Sequence, residues 1–559
     1  MHFTGWTYDN FVTQSVEAQR RLFPDRTGGR RDFDLIVIGS GMGGGLLADD
    51  LADRLHGQRI LVLEAGSYLY PTHVYNLCRF SNADVARHFG CGSFWQPGGS
   101  HDSHYIHERP QLNFGGRSIF WSGLIPTVQD WELDFFPPRV RADLKAGLLD
   151  EAGRTMNVSQ SLGSAARTMV ERLRASDLAE DFVIEETPRA VHQPYLMRDG
   201  GRERYFFEPT GVFNTAELLI NQLGLAGPRD EGRDGLYLRL SSFVEDVREQ
   251  ADGRYELVVR DVLDGSAQIF RANTVVLAGG SIESPKLLRR STSLVAKLPE
   301  HVRAQIGVGL TDHPTTSSLE TWATHLHDLP LARDEHAKIV FYSRGRRDAD
   351  GSLAYPFNVE MNVNHEYWHL RENDPGSPAA AVRHEQASRI DIKFSFGNCR
   401  DARNAVLDPP PYGYVPEVRF RNLGWMDDLA GSRLPALAGW HKRYDEIFAV
   451  LNHTAWRIFS QFSRDGQPAR PDHEIWYGQG GKGFGLGTVH HAACSLSMPS
   501  RASHDQDFDY GSVLDEDLRL NGSRSLYVCD MSAMPFSSAA NPVRTLAALA
   551  LRLSRHLAR

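Results

Sequence analysis

The chain has 559 residues, 41% hydrophobic and 23% charged, with 50 glycines; at roughly 150 residues per domain this is an ordinary globular composition for two to four units. Lysine and arginine total 61 against 70 aspartates and glutamates, a formal charge of −9. That balance argues against nucleic acid or an anionic membrane as the main partner, and it suits a neutral or cationic substrate as well as plain solubility.

In chain order, the N-terminal stretch MHFTGWTYDNFVTQSVEAQRRLF lacks the apolar core of a signal peptide and reads as a leader helix. RTGGRR, Arg26–Arg31, reads as a hinge into the first strand. The longest uncharged run near the start, Leu35–Ala48, is 14 glycine-rich residues, too short to span a bilayer. The five cysteines, Cys78, Cys91, Cys399, Cys494 and Cys529, are scattered and form no CxxC, the pattern of a reducing compartment rather than of a disulfide framework or zinc site. A cytoplasmic protein is expected.

FDLIVIGSGMGGGLLADDLADRL begins at Phe33. Its apolar run predicts a strand buried on both faces. Gly39-Ser40-Gly41-Met42-Gly43-Gly44 is a GxGxxG that opens a helix, where backbone N–H groups and the positive end of the helix dipole can meet a pyrophosphate. A second buried strand, RILVLEAG, ends near Glu64, whose carboxylate is positioned to hold a ribose diol; an acid there favours FAD or NAD over NADP. NTVVLAGG, Asn273–Gly280, is a further strand running into a glycine pair ahead of SIESPKLLRRS. Such a return to one sheet favours FAD.

Further along, NFGGRSIFWSGLIP (Asn113–Pro126), GVGLTDHP (Gly307–Pro314), TVHHAACSLSM (Thr488–Met498) and YVCDMSAMPFSSAANPVRTLAALALRL fall into place. With the glycine motif, they resemble the glucose–methanol–choline (GMC) oxidoreductase family of flavoproteins over almost the whole chain. The GGRSIFW loop and the NTAELL segment (Asn214–Leu219) look most like the bacterial pyranose-oxidase-type branch, near which sugar and amino-sugar oxidases belong.

The resemblance implies an α/β protein, α+β overall, with a Rossmann-like FAD-binding domain and a second substrate domain built on an antiparallel sheet. The expected division is a leader at 1–31, FAD-binding parts at 32–135, 205–315 and 480–559, and substrate-domain parts at 136–204 and 316–479. SSLETW, PFNVEMNVNH and IDIKFSFGN read as strands of that antiparallel sheet. The resemblance implies cofactor contacts at Gly39, Gly41, Gly44 and Glu64 with the ADP half, Gly115, Gly116 and Ser118 along the flavin, Val244 at the adenine, and Asp530 near the ribityl and pyrophosphate. His491 matches the active-site histidine through H-x-x-x-x-x-x-M ending at Met498, and Asn541 matches the second catalytic position. Where the family has Gly-Thr-Cys, this chain has Cys494-Ser495-Leu496. Some pyranose oxidases bind flavin covalently through a loop histidine; the matching Phe120 cannot, so dissociable, non-covalent FAD is expected.

The implied reaction is oxidation of an alcohol on a sugar-like or amino-sugar substrate to a carbonyl, with hydride to flavin N5 and O₂ or a quinone-like acceptor reoxidising the flavin. His491 would take the hydroxyl proton and Asn541 would orient the substrate oxygen. Two other outcomes stay open: a lyase with a structural flavin, and a non-catalytic flavin-binding protein. If TVHHAA is extended, His490 and His491 point to opposite faces and cannot share a metal, and His490 supports or packs behind its neighbour. Asn541 before Pro542 also reads as a helix cap. His313, before Pro314, reads as structural or flavin-contacting. Tyr355, Phe357, Tyr367 and Trp368 read as core residues with a possible place in a sugar pocket.

Overall fold

The fold was read from a computed structural model, which describes residues 29, 31–68, 73, 96–97, 111–159, 164–191, 211–225, 235–317, 322–323, 337–349, 351, 353–363, 389–407, 417–419, 444–462, 490–501 and 506–559. Residues 1–28 of the leader, Cys78, Cys91, Tyr367 and Trp368 lie outside these residues.

The first strand, β1 (Asp32–Ile38), carries Leu35, Ile36 and Val37 buried on both faces, and the helix α1 (Met42–Arg54) follows after three residues. Next come β2 (Arg59–Leu63), the helix α2 (Ser164–Arg174), β3 (Phe182–Glu186) and α3 (Thr215–Leu225). Then β4 (Gly235–Arg239), β5 (Ser242–Glu249), β6 (Tyr255–Asp261) and β7 (Ala267–Leu277) lead into α4 (Gly280–Arg290). A second group of strands is β8 (Thr315–Ser317), β9 (Trp322–Ala323), β10 (Ala337–Ser343), β11 (Phe357–Val363) and β12 (Arg389–Phe396), followed by α5 (Tyr444–Ser460). The chain returns with β13 (Leu526–Val528) and ends in α6 (Val543–Leu557).

One sheet has the order β4-β2-β1-β7-β6-β5, with β13 added to β7. β1, β2, β4, β7 and β13 pair in parallel, which requires helical crossovers and buries both faces; β5 and β6 extend the sheet as an antiparallel flap. The last helix, α6, packs on α1 over this sheet.

The other sheet is antiparallel throughout, order β9-β12-β11-β10-β3 with β8 on β12. Its period-two patterning sorts its faces. Ile339, Phe341, Val359, Met361, Ile392 and Phe394 share a second core with Met169 and Leu173 of α2 and with Leu451, Ala455 and Phe459 of α5. Residues of the opposite parity, among them Lys338, Glu360, Asn362 and Lys393, line a cavity instead. Tyr355 and Phe357 belong to the second core.

Phe136, Val140, Leu148 and Met156 join the core of the parallel sheet, whereas Ala166 and Met169 join the second. We propose that the first unit therefore extends to about residue 156, beyond the boundary at 135 expected from sequence.

Candidate active site

The glycines after β1 are used in different ways. Gly39 has φ 108°, and a Cβ there would run into the carbonyl of Ala278 at the end of β7. A Cβ on Gly44 would strike the Gly39 carbonyl, so this glycine sets close packing of α1 on β1. Gly43, which the motif leaves unassigned, would strike the Cys529 carbonyl just after β13. Gly41 differs: it is the N-cap of α1, and a Cβ there meets nothing within 4 Å. Its open side belongs to a cavity of about 1050 Å³. A bare helix N-terminus facing open space is the arrangement that accepts a pyrophosphate.

Glu64 is buried at the end of β2. Burial raises its carboxyl above the usual range, and donors from Ser40 (N at 3.0 Å, Oγ at 2.6 Å) and Gly66 N at 2.8 Å oppose that. Ser40 Oγ in turn accepts from Gly115 N at 2.9 Å, tying the Gly115-Gly116 loop to the first turn of α1. Ser118 Oγ donates to Gly115 O at 2.6 Å and lies 2.9 Å from Thr215 Oγ1, which donates to Ser40 O. Asp530 is likewise buried and pushed up by burial. Its oxygens accept from Ser284 Oγ at 2.5 Å, Gly280 N at 2.9 Å, Ser532 N at 2.8 Å and Ser532 Oγ. Asp530 thus fastens β13 to the start of α4 and shapes the cavity floor. Val244 lies at an irregularity in β5 and lines the same cavity.

At the far end, the loop of His491 is sewn between two neighbours. Ala493 exchanges backbone bonds with Thr311 at 2.9 and 3.0 Å, while Cys494, Leu496 and Met498 donate to the carbonyls of Met531, Ser532 and Ala533. Cys494 holds φ 70°, a left-handed backbone that favours glycine, at the position where the resemblance would place glycine. Pairing Thr311 with Ala493 brings His313 beside His491, with Nδ1 3.2 Å from Nδ1 and ring centroids 5.0 Å apart. His313 is buried against the other imidazole, so the pre-proline histidine contacts the candidate base.

Burial, then Lys393, pulls His313 down to about 3, with Glu360 opposing. Burial, then His313, Lys393, His490 and Arg117, holds His491 well below the usual histidine range. Both rings are therefore neutral near pH 7, and each carries one N–H. One Nδ1 must donate and the other accept.

The extended geometry expected for TVHHAA fails at His490, which has φ 59°. Its carbonyl accepts from Arg117 Nη1 at 2.8 Å, and the resulting turn lets both histidines line the cavity.

Asn541 also lines the cavity. It does not cap α6: Pro542 occupies the cap position, and no side-chain cap bond forms. No hydrogen bond engages its carboxamide among the described residues. Its position is held from behind by Glu132, whose Oε1 accepts from Ala539 N at 2.6 Å and Ala540 N at 3.2 Å. Burial lifts that carboxyl to about 7 against these donors. Sequence reasoning did not single out Glu132 or His313 as positioning groups.

One cavity thus joins Gly39, Gly41, Glu64, Gly116, Ser118, Val244 and Asp530 to His491 and Asn541; Gly44 and Gly115 lie behind its wall. Its volume is at the top of the ~300–1,000 Å³ range of small-molecule sites. Among the described residues, no group of three or more His, Cys, Asp or Glu is placed to hold a metal ion, and no helix is long and apolar enough to cross a membrane.

Comparison with known proteins agrees with this architecture. Residues 465–550 match the family described as GMC oxidoreductase. The chain is 23% identical over 461 residues to a C-glycoside 3-oxidase of Microbacterium trichothecenolyticum, covering 80% of this chain and 75% of that protein. Its fold is similar to the crystal structure of pyridoxine 4-oxidase from Mesorbium loti, with a TM-score of 0.56 and 17% identity over 94% of this chain and 99% of the other. The segment that matches the GMC oxidoreductase family, 465–550, is the one that carries His491 and Asn541.

Proposed function

We propose that the protein oxidises an alcohol group of a sugar-like small molecule to a carbonyl, using non-covalently bound FAD. The observation that carries this reading is the single cavity running from the glycine-rich turn at Gly41 to His491 and Asn541. The residues fit the cofactor: an open helix N-terminus, a buried acid at the end of β2, and a glycine loop pinned alongside. Bound FAD supplies the acceptor for the hydride.

The chain's own groups do the rest. For His491 Nε2 to accept the hydroxyl proton, its single hydrogen must sit on Nδ1 and be donated to His313 Nδ1, 3.2 Å away. His313 thereby fixes the tautomer and ring orientation of the base. The low proton affinity imposed by burial and by Lys393 and Arg117 keeps His491 unprotonated between turnovers. Asn541, free of capping duty, has an amide N–H to offer the substrate oxygen as it gains negative charge. The same positive surroundings favour that charge.

Anaerobic mixing with substrate should bleach the flavin's visible band. A colourless protein that refuses added FAD would end this reading, as would reduction of the His491→Ala variant at the wild-type rate. The final acceptor, O₂ or a quinone-like molecule, follows from admitting each to the reduced protein.

A further inference from the structure

Charge on the sheet side of the cavity is unbalanced. Lys338 on β10, Glu360 on β11 and Lys393 on β12 all line it. Glu360 faces Lys393 directly across the β11–β12 pair, and Lys338 reaches it diagonally. Lys338 Nζ lies 3.1 Å from Glu360 Oε2 and takes most of that carboxylate. Lys393 Nζ is 3.9 Å from Oε1, and 22% of its side chain is exposed. Two ammonium groups thus share one carboxylate. The other acids that line the cavity among the described residues are already engaged. Glu64 bonds Ser40 and Gly66, Glu283 pairs with Lys286, and Asp530 bonds Gly280, Ser284 and Ser532. An excess positive charge largely withdrawn from water calls for a counter-ion. Asn362, which pairs with Lys338 in register, has a buried Oδ1 without a partner among the described residues, an acceptor suited to a substrate hydroxyl.

Resting on the alcohol-oxidation reading above, we infer that the substrate bears a carboxylate beside its reacting polyol, seated on Lys393 at the sheet wall of the cavity. A sugar acid meets this pattern: the carboxylate balances the lysine pair while hydroxyls reach Asn362 and the base. The acid excess of the whole chain pointed instead toward an amino sugar, but that excess is a property of the whole sequence, and a cationic sugar would meet like charge here.

The test uses holoenzyme with methyl β-D-glucuronide, methyl β-D-glucoside and methyl β-D-glucosaminide. Binding is measured by anaerobic calorimetry on dithionite-reduced protein, which cannot turn over; bleaching of the oxidised protein is followed separately. The glucuronide should bind at least tenfold more tightly than the glucoside, and only its affinity should weaken with added salt. Lys393→Met should collapse the glucuronide-to-glucoside ratio toward one, and Lys393→Arg should preserve it. Glucoside or glucosaminide binding as tightly as the glucuronide, an unchanged ratio in Lys393→Met, or salt-insensitive glucuronide binding overturns the carboxylate seat. Preferential glucuronide binding with no bleaching by any sugar keeps the seat and sinks the oxidation reading. Bleaching by a preferred glucoside does the reverse, and binding of none of the three overturns both.

Discussion

His313 should make the protein acid-sensitive by a calculable amount. Its imidazole is 1% exposed, and burial with Lys393 pulls it from its ordinary 6.5 to about 3. Unfolding releases it to water, where it binds a proton more readily. Between pH 6.5 and 3 the unfolded chain therefore holds more protons than the native one, so stability is full above that window and falls as pH drops through it. At pH 5 the ordinary value is 1.5 units away, which at about 1.4 kcal/mol per unit costs the native state ~2 kcal/mol relative to neutral pH. His491 adds to the effect in the same direction. His313→Asn removes the titrating group and keeps a polar side chain of similar reach. The measurement is amide exchange around Thr311 and Ala493, which reports the local cooperative unit, in both proteins at pH 7 and 5. Wild-type protection, expressed as opening free energy, should fall between the two pH values by ~2 kcal/mol more than that of the variant. Equal pH dependence in the two proteins would refute the argument that this histidine is held neutral.

His491→Ala should slow anaerobic flavin reduction by on the order of 10²-fold while leaving the bound flavin's spectrum in place. Two neighbouring glycines should separate fold from cofactor. Gly41→Ala adds a methyl to open space and should leave thermal stability near wild type while weakening FAD retention; Gly43→Ala drives a Cβ into the Cys529 carbonyl and should lower the melting temperature sharply. Acid precipitation should release flavin into the supernatant, because Phe120 stands where a histidine linkage would form; flavin pelleting with the protein would contradict this. Glu132→Gln leaves a single oxygen where two now accept, one from Ala539 and Ala540 N and the other from Gln129 N, so an amide group must face an N–H and flavin reduction should slow by about tenfold with FAD affinity unchanged.

The glycine-rich end of the cavity was legible because its signals are short in sequence. Strand, glycine turn and helix occupy Asp32–Arg54, and each glycine answers to a backbone a few residues away or to a neighbouring strand. Both sheets could be anticipated from apolar patterning, through continuous runs in β1 and β2 and alternation in β11 and β12. The proposed catalytic pair came from spacing to Met498 and from Asn541-Pro542, with the family resemblance giving them meaning. His313, Glu132 and the Lys338–Glu360–Lys393 group were not legible. Their roles arise from contacts 178 residues apart for the histidines and 407 for Glu132 with Ala539, and no local pattern encodes such a meeting. The polar parity of β11 and β12 was visible as alternation, but nothing in it said that the polar side looks into a cavity rather than into solvent. The hinge-like turn at His490 was missed because a left-handed histidine leaves no mark on the sequence.

The position of β13 has a consequence for biosynthesis. It is the last strand of its sheet to leave the ribosome, yet it lies beside β7 and its exit supplies both the carbonyl over Gly43 and the acid that fastens α4. The turn that should meet the pyrophosphate is translated early and must wait for that late strand before its floor exists. A nascent chain arrested before Leu526 should therefore capture no flavin, however long the earlier strands have had to pair.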